Sequence, residues 1–329
     1  MFEKWNMKKV VLYLVAIMCV SFGIGMGILA STGWGGINIA GSKYSVKQEK
    51  TQAISVQGNQ QSNNQTSSGS AEVNQEKTSE AKMVKDINIE VTSADINIIS
   101  EDRQDVKAVL TGNVSNKEGE PQLKMDLADG KLLISVKTKS IISFNFISNL
   151  QLNVYIPKNY ENNLKVDASS AKVSIKDFKL KEYSCEVTSG DMTIENMTSD
   201  VISVKGSSGC LRGNNINTKT TSVKLTSGNI TLDKFKGDLK GGCSSGNINV
   251  GYSEFNNNID LSATSGNIKI NLPAESEFYI DARATSGNVN CDFPITISGK
   301  QKDNHLCGTV KSDKNKITIN VTSGNIRVQ

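Results

Sequence analysis

The sequence repeats a short motif, Thr-Ser-Gly-Asn, at intervals of about nineteen residues. From Ala171, which replaces the glycine in one variant, to Gly287, the successive intervals are 19, 19, 19, 18, 20 and 21 residues. The last interval, to Gly324, is 37 residues, which we interpret as nearly two units with one motif lost. A repeat of this length restricts the chain to a fold in which similar units stack on one another.

Apolar residues occupy every second position on both sides of the motif. They lie seven, five and three residues before the glycine and two and four residues after it. In the unit around Gly266 these positions hold Ile259, Leu261, Ala263, Ile268 and Ile270. Alternation of this kind indicates two β-strands per unit, each with one buried face. One unit cannot bury such a face alone, so we predict an all-β fold, a β-solenoid (β-helix) with coils of about 19 residues.

The motif itself is assigned to the corner between the two strands of a unit. Glycine reaches a positive φ without steric cost, and asparagine tolerates turn geometry and hydrogen-bonds nearby backbone. Stacked Ser and Asn side chains can also bond to their counterparts in neighbouring coils. We interpret the repeated corner as a structural ladder and not as a ligand site. Its predicted members are Ser189, Gly190, Ser227, Gly228, Asn229, Gly246, Asn247, Gly266, Asn267, Gly287, Asn288, Gly324 and Asn325.

The N-terminus departs from the repeat. Val10 to Leu29 is a run of twenty residues without a charge, long enough to cross a bilayer, and three lysines precede it. We therefore predict a cytoplasmic tail over residues 1–9 and a single-pass transmembrane anchor over residues 10–32, with the C-terminal solenoid outside the cell. A cleaved signal peptide remains the alternative.

Three further regions follow the anchor. Residues 41–83 are polar and poor in large apolar side chains, which predicts a disordered linker. Residues 84–160 contain alternating strands without the regular repeat, and we predict that they form an N-terminal cap and the first coils. Residues 161–329 are predicted to be the regular solenoid repeats.

Candidate chemistry is sparse. The only histidine, His305, stands two residues from Cys307 in an irregular insert, where a nucleophile–base pair would lack an orienting shell. We therefore predict no catalytic residues. No CxxC spacing exists, so no metal site and no cofactor are predicted. Cys185, Cys243 and Cys291 fall on inward positions, and a bridge between Cys291 and Cys307 is left open.

The net charge of +4 is spread over interspersed charges of both signs and shows no nucleic-acid footprint, so no nucleic-acid partner is predicted. The "TSGNI" and "TSGDM" corners, together with the "LQLNVYIP" strand at Leu150–Pro157, resemble the bacterial putative-adhesin family. The resemblance covers about residues 84–329. It implies β-strand-repeat domains of unknown function, often carried behind one N-terminal membrane helix. It also implies an association with envelope-stress operons.

From these observations we expect a non-enzymatic cell-surface protein that binds or scaffolds, displayed on a membrane tether. Its expected partners are cell-wall glycan or another envelope protein. The first alternative is an accessory protein of an envelope-stress sensing system. The second is a polysaccharide-active enzyme on a β-helix, which would need clustered acids on one outward column.

Overall fold

Strands follow one another through every part of the chain that the structure describes. This structure is a computed structural model, and it describes residues 71–115, 120–137, 148–297 and 302–329. The strands are β1 (Ala71–Glu80), β2 (Asp86–Ser93), β3 (Asp95–Glu101), β4 (Asp105–Val114), β5 (Gln122–Ala128), β6 (Lys131–Lys137), β7 (Ser148–Pro157), β8 (Asn163–Ser170), β9 (Val173–Ser189), β10 (Met192–Ser208), β11 (Leu211–Ser227), β12 (Ile230–Ser245), β13 (Ile248–Tyr252), β14 (Ile259–Ser265), β15 (Ile268–Asn271), β16 (Phe278–Ser286), β17 (Val289–Cys291), β18 (Thr296–Ile297), β19 (His305–Val310), β20 (Lys316–Ser323) and β21 (Ile326–Val328).

The predicted all-β class is confirmed for these residues. Among them, no helix has the length and apolar character needed to span a membrane. The anchor predicted at 10–32 lies outside the described residues.

Strands β9 to β12 form the regular middle of the fold, where each turn of the chain stacks on the one before it as a coil. Neighbouring strands are parallel and in register, so that Met192 pairs with Leu211 and Leu211 pairs with Ile230. Equivalent residues of successive repeats therefore lie in columns along the solenoid axis. The stacking forms one large, mostly parallel sheet of many strands.

The predicted inward columns are buried. Ile259, Ile268 and Ile270 are at most 1% exposed, and the same holds for Ile317 and Ile319 in the last coil. Each such side chain contributes about 1.5–3 kcal/mol of gross transfer free energy when it leaves water. Because each coil shares its apolar face with the coils on both sides, the core is continuous along the solenoid.

The long strands carry a third buried stretch that the two-strand prediction missed. Six residues after the corner, Asp177, Asn196, Asn215 and Lys234 have positive φ values between 49° and 62°. One residue further on, the chain buries a column made of Phe178, Met197, Ile216 and Phe235. At the bend, two consecutive residues are left unburied, so the alternation of buried and exposed side chains shifts by one residue. The bend turns the strand towards a third side of the coil.

The last three coils do not stack in sequence order. Strands β20 and β21 lie between β14–β15 on one side and β16–β17 on the other, and all of these pairings are parallel. Ile317 thus pairs with both Ile259 and Ile280. Our interpretation of the 37-residue interval as nearly two coils with a lost corner is wrong. After β17 the chain forms β18 and β19 and then returns into the stack.

Strand β19 has a structural purpose in this arrangement. It pairs antiparallel with the outer edge of β16, whose inner edge pairs with β20. An open solenoid end exposes unpaired backbone groups that invite association with other chains. The antiparallel strand covers this edge of β16, and the returning strand β20 is paired on both of its edges.

The N-terminal end is built in the same way. Strands β2 and β3 lie between β6–β7 and β8–β9, again out of sequence order. Antiparallel strands cover the outer coil, because β5 pairs with β6 and β4 pairs with β7. The first coil of the chain is therefore not the outermost coil at the N-terminal end of the stack, but the second. The last coil of the chain is likewise the second coil from the C-terminal end.

Strand β1 corrects the predicted linker. Residues 71–80 were expected to be disordered within the segment 41–83, but they pair with β4 over ten residues, from Ala71 with Val114 to Glu80 with Asp105. Val73 is 1% exposed and supplies the apolar contact that composition alone did not predict. The remaining part of that segment up to residue 70 lies outside the described residues.

An aromatic stack fills the third side near the C-terminal end. Successive ring centroids lie 5.2 Å apart for Phe235 and Tyr252, 5.1 Å for Tyr252 and Phe255, 6.1 Å for Phe255 and Phe278, and 5.4 Å for Phe278 and Phe293. All four contacts are edge-to-face, the geometry that ring quadrupoles favour. The shorter strands β13, β15 and β17 are thus backed by aromatic packing.

Candidate functional site

The corner glycines are required for two independent reasons. Gly228 has φ of +124°, and a Cβ placed there would lie 1.9 Å from the carbonyl oxygen of Gly209. Gly190, Gly246 and Gly266 show the same positive φ and the same approach, within 1.9–2.0 Å, to the corner of the preceding coil. No L side chain fits this backbone, so the predicted glycines act in architecture.

The corner asparagines form a hydrogen-bonded ladder. The backbone N–H of Asn247 donates to the side-chain oxygen of Asn229 at 2.8 Å, and that of Asn267 donates to Asn247 at 2.9 Å. The backbone N–H of Asn325 donates to the side-chain oxygen of Asn267. The ladder ends at Asn288, whose backbone N–H donates to the side-chain oxygen of Asn325. Each side chain satisfies a backbone donor of the next coil, which is the contact between neighbouring coils that the corner composition indicated.

Aspartate performs the same role earlier in the stack. The side-chain oxygen of Asp191 accepts the backbone N–H of Cys210 at 2.9 Å, and Arg212 forms an ion pair with the same carboxylate. The backbone hydrogen bond from Cys210, followed by that from Arg212, lowers the pKa of Asp191. The two corners that carry Ala94 and Ala171 lack a positive φ, so the ladder begins on a different backbone geometry.

The corner serines lie beside this ladder in a column of their own. Nine of them are exposed and in direct register from coil to coil, and none uses its hydroxyl in a side-chain hydrogen bond within the described residues. The serine column, in spatial order, is Ser93, Ser170, Ser189, Ser208, Ser227, Ser245, Ser265, Ser323 and Ser286.

A parallel column of exposed hydroxyls stands next to the serines, one residue earlier in each coil. In the middle coils this column holds Thr188, Ser207, Thr226, Ser244 and Thr264. At about 4.8 Å per coil, nine coils extend over about 38 Å. The corner and the outward side of the strand that precedes it are here together called the outer face. Along the solenoid they present two rows of hydroxyl groups that form no side-chain hydrogen bond among the described residues.

A second polar ladder was missed at the bend six residues after the corner. The side-chain amide of Asn196 donates to Asp177 at 2.7 Å, and that of Asn215 donates to Asn196 at 3.0 Å. Asn and Asp tolerate the left-handed backbone that these positions adopt. Their 19-residue spacing is visible in the sequence and could have revealed the bend.

The structure brings His305 and Cys307 into an ordered setting, which corrects their assignment to an irregular insert without an orienting shell. Both lie on β19, opposite Arg283 and Asp281 of β16. The His305 ring nitrogen Nε2 lies 3.0 Å from Asp281 Oδ1, and Cys307 Sγ lies 2.9 Å from the hydroxyl of Tyr279. The thiol and the imidazole thus have different partners.

Electrostatics in this cluster favour charge pairing. Partial burial alone would raise the pKa of Asp281, but hydrogen bonds from Arg283 and His305 outweigh it and lower that pKa. The Cys307 contact raises the pKa of Tyr279. The His305–Asp281 and Cys307–Tyr279 contacts hold β19 on β16, because each of them joins the two strands of the antiparallel pair. The sequence could not reveal them, since the pairing joins residues 24 and 28 positions apart.

The other cysteines are placed as the inward columns indicated. Cys185 and Cys243 are buried, and burial raises the pKa of the Cys185 thiol to about 12, which keeps it un-ionised. Cys291 and Cys307 are free thiols, so the bridge that the sequence left open is absent between these two described residues. Within the described ranges, no cluster of three His, Cys, Asp or Glu residues suits a metal ion.

Parallel coils with Gly-Asn corners, closed at both ends by antiparallel strands, define a β-strand-repeat domain. The chain belongs to the family described as Toastrack DUF4097, whose model matches residues 84–329. The resemblance to an adhesin family of β-repeat domains of unknown function is thereby confirmed over the same residues.

Several solved structures are similar to this chain. A putative cell adhesion protein from Clostridium sporogenes is 14% identical, with 78% of this chain and 99% of that chain covered and a TM-score of 0.27. A putative adhesin from Bacteroides fragilis is 11% identical, with 78% and 97% covered and a TM-score of 0.43. A putative lipid binding protein from Parabacteroides distasonis is 15% identical, with 78% and 96% covered and a TM-score of 0.35.

With TM-scores below 0.5, these likenesses carry no functional information for this chain. Among curated proteins, none matches it.

Proposed function

We propose that this chain is a non-enzymatic, adhesin-like binding protein of the cell surface, displayed on a membrane tether. The observation that carries the proposal is the outer face, where nine registered serines and a parallel column of hydroxyls are exposed and form no side-chain hydrogen bond within the described part of the chain. A surface of repeated donors and acceptors at a fixed spacing suits an extended partner with its own repeat. Cell-wall glycan is the partner that best fits this description, and another envelope protein is the second.

Rigidity supports a binding role. The outer face rests on a continuous apolar core, and the corner ladders fix the spacing of the coils. A preorganised surface loses little conformational entropy when it binds, because its side chains are already held by the sheet. Short Ser and Thr side chains add little rotamer entropy to that cost.

The residues with reactive side chains support a structural role in place of catalysis. In the cluster on β16 and β19, His305 bonds Asp281 and Cys307 bonds Tyr279. A nucleophile–base mechanism needs the thiol to bond the imidazole. The buried thiol of Cys185 is un-ionised at neutral pH.

The placement at the cell surface rests on the charge-free run and its preceding lysines in the sequence. It can be tested with an epitope tag after Gln329 in the native host. Protease added to intact cells should remove the tag, while a cytoplasmic control protein stays whole. Protection of the tag until the cells are lysed would contradict this placement.

Binding is tested by incubating the full-length chain, held in lipid vesicles, with purified cell-wall material. We expect saturable retention of the vesicles and none with empty vesicles. A double variant with Ser227→Leu and Ser245→Leu, on the exposed serine column, should weaken retention. Thr231→Leu, exposed on a different side of the coil, is the matched control. Absence of saturable retention of the unaltered chain would refute a glycan-binding function.

A further inference from the structure

A trough crosses the outer face near the C-terminal end of the solenoid. It encloses about 670 Å³ and is lined by strands β11, β12, β14, β20 and β16. Its long axis runs across the strands, along one row of registered residues. In spatial order that row is Lys224, Gly242, Ser262, Asn320 and Arg283.

The shape of the trough follows from this row. A Cβ at Gly242 would lie 2.2 Å from the carbonyl oxygen of Ser262, so only glycine fits that part of the floor. Ser262 is short, and both ends of the row carry long cationic side chains. The side chains of Lys224 and Arg283 therefore stand above a floor formed by Gly242 and Ser262.

The trough carries a net positive charge, although Asp281 beside it forms an ion pair with Arg283. Its lining contains the cations Lys224, Lys240 and Arg283 and a single carboxylate, Asp260. Lys240 lies 3.7 Å from Asp260, whereas Lys224 has no ion-pair partner among the residues that the structure describes.

Arg283 is oriented from outside the trough. Its Nε and one terminal nitrogen bond the two oxygens of Asp281 at 3.1 and 3.3 Å. That contact leaves the second terminal nitrogen with free N–H donors, since a guanidinium carries five in a fixed fork. Asp281 is in turn bonded by His305, so the antiparallel strand β19 holds the arginine in place.

Hydroxyl groups form one rim of the trough. Ser244, Thr264, Thr322 and Thr285 line it, and all four are exposed. No aromatic ring is among the lining residues, so a sugar ring has no surface on which to stack. Recognition in this trough must rely on hydrogen bonds and on charge.

We infer that the trough binds an extended anionic glycan strand, laid along the solenoid axis. One carboxylate of the glycan pairs with Lys224 and a second with Arg283. Four strand spacings of about 4.8 Å separate these cations by about 19 Å. The sugar hydroxyls between them bond the Ser and Thr rim. The inference rests on the proposed binding function and names its ligand class.

The test measures binding of hexagalacturonate and of maltohexaose, a neutral hexamer, to the full-length chain by titration calorimetry. We expect saturable binding of the anionic hexamer that weakens with added salt, and at least tenfold weaker binding of the neutral one. Lys224→Gln and Arg283→Gln should each reduce affinity for hexagalacturonate about five- to tenfold. Lys205→Gln, in the same column one coil outside the trough, should leave affinity within about twofold.

A steric variant tests the floor independently of charge. Ser262 is exposed, so Ser262→Leu should fold, and it should abolish binding of hexagalacturonate. Thr231→Leu is the matched control. Thermal unfolding of each variant verifies that the fold is kept. Equal binding of the two hexamers, or anionic binding that survives Ser262→Leu, would overturn the inference.

The two proposals fail differently. Cell-wall retention that persists in Ser262→Leu leaves the binding function intact and refutes the trough as its site. Absence of retention of the unaltered chain refutes binding of cell-wall glycan, whatever the hexamers do.

Discussion

The backbone N–H of Asn288 donates to the side-chain oxygen of Asn325 at 2.9 Å, although Asn325 comes 37 residues later in the chain. In a solenoid that stacks in sequence order, Asn288 would contact Asn267. Instead Asn325 donates to Asn267, so the last corner lies between the two that precede it. The corner ladder is continuous only because the C-terminal coil is inserted.

Insertion of the last coil also builds the trough. Asn320 of β20 lies between Ser262 and Arg283, and it widens the gap between the two cationic ends by one strand. Without that coil, Arg283 would stand directly beside Ser262. The width of the trough on the outer face therefore depends on the insertion of β20 between β14 and β16.

The corner glycines offer the sharpest stability prediction. Gly228→Ala places a methyl group 1.9 Å from the Gly209 carbonyl oxygen at a φ of +124°. We expect the free energy of unfolding to fall by at least about 2 kcal/mol, from backbone strain and from displacement of the neighbouring corner. Urea unfolding followed by circular dichroism measures it.

The matched control is Gly251→Ala. Gly251 has no positive φ, and its nearest neighbour to a new Cβ would be the Asp233 carboxylate at 3.2 Å. Its effect should stay below about 1 kcal/mol, because a flexible side-chain end can move aside. Equal effects of the two substitutions would contradict the account of the corner.

The asparagine ladder predicts an effect that depends on the acceptor. Asn247→Ala removes the oxygen that accepts the N–H of Asn267, which should lower the unfolding free energy by about 1 kcal/mol. Asn247→Asp keeps that acceptor and should cost less than the alanine variant at neutral pH. Urea midpoints of the two variants compare them directly. A similar loss for both would show that the side-chain oxygen does not stabilise the corner.

Asp191 predicts a pH dependence. Its folded-state pKa lies below the usual value of 3.8, chiefly through the hydrogen bond from the Cys210 N–H. A depressed folded pKa contributes stability above the unfolded-state pKa, and that contribution is lost as pH falls through the folded value. The stability advantage of the unaltered chain over Asp191→Asn should thus be constant from pH 8 to about pH 5 and shrink below about pH 4. An advantage that grows in acid would have the wrong sign.

The aromatic stack predicts a large packing effect. Phe278 is fully buried between Phe255 and Phe293, so Phe278→Ala should destabilise the chain by about 3–5 kcal/mol. Phe278→Leu fills more of the space and should cost less. Thermal melts of both variants separate cavity formation from loss of the ring contacts. Equal melting temperatures of the Phe278→Ala and Phe278→Leu variants would contradict the packing described for this side of the coil.

Much of this fold could be predicted from the sequence, because the inward columns repeat with a period of two around each glycine. Ile259 and Ile268 are buried as that pattern indicates. The third column, with Phe178 and Phe235, recurs at the same interval but falls after a bend that reverses the alternation. Its signal is visible only once the bend at Asp177 is recognised.

Stacking order could not be predicted in the same way. Parallel stacking places equivalent positions together whichever coils are neighbours, so Ile317 fits against Ile259 or Ile280 equally well by sequence. The partners of His305 and Cys307 depend on this order, because β19 reaches β16 only when β20 has filled its other edge. Long-range pairing of this kind leaves no local pattern.

Cross-linking tests the inserted coil most directly. Ser265 pairs with Ser323, and Ser323 pairs with Ser286, so adjacent positions lie within the Cα reach of a disulfide. Ser265 and Ser286 are two strand spacings apart, about 9.6 Å, which is beyond that reach. The measurement is oxidation of paired cysteine variants, with the linked peptides identified by mass spectrometry. We predict cross-links in Ser265→Cys/Ser323→Cys and in Ser323→Cys/Ser286→Cys, and none in Ser265→Cys/Ser286→Cys. Efficient cross-linking of that last pair would contradict the insertion and the trough built on it.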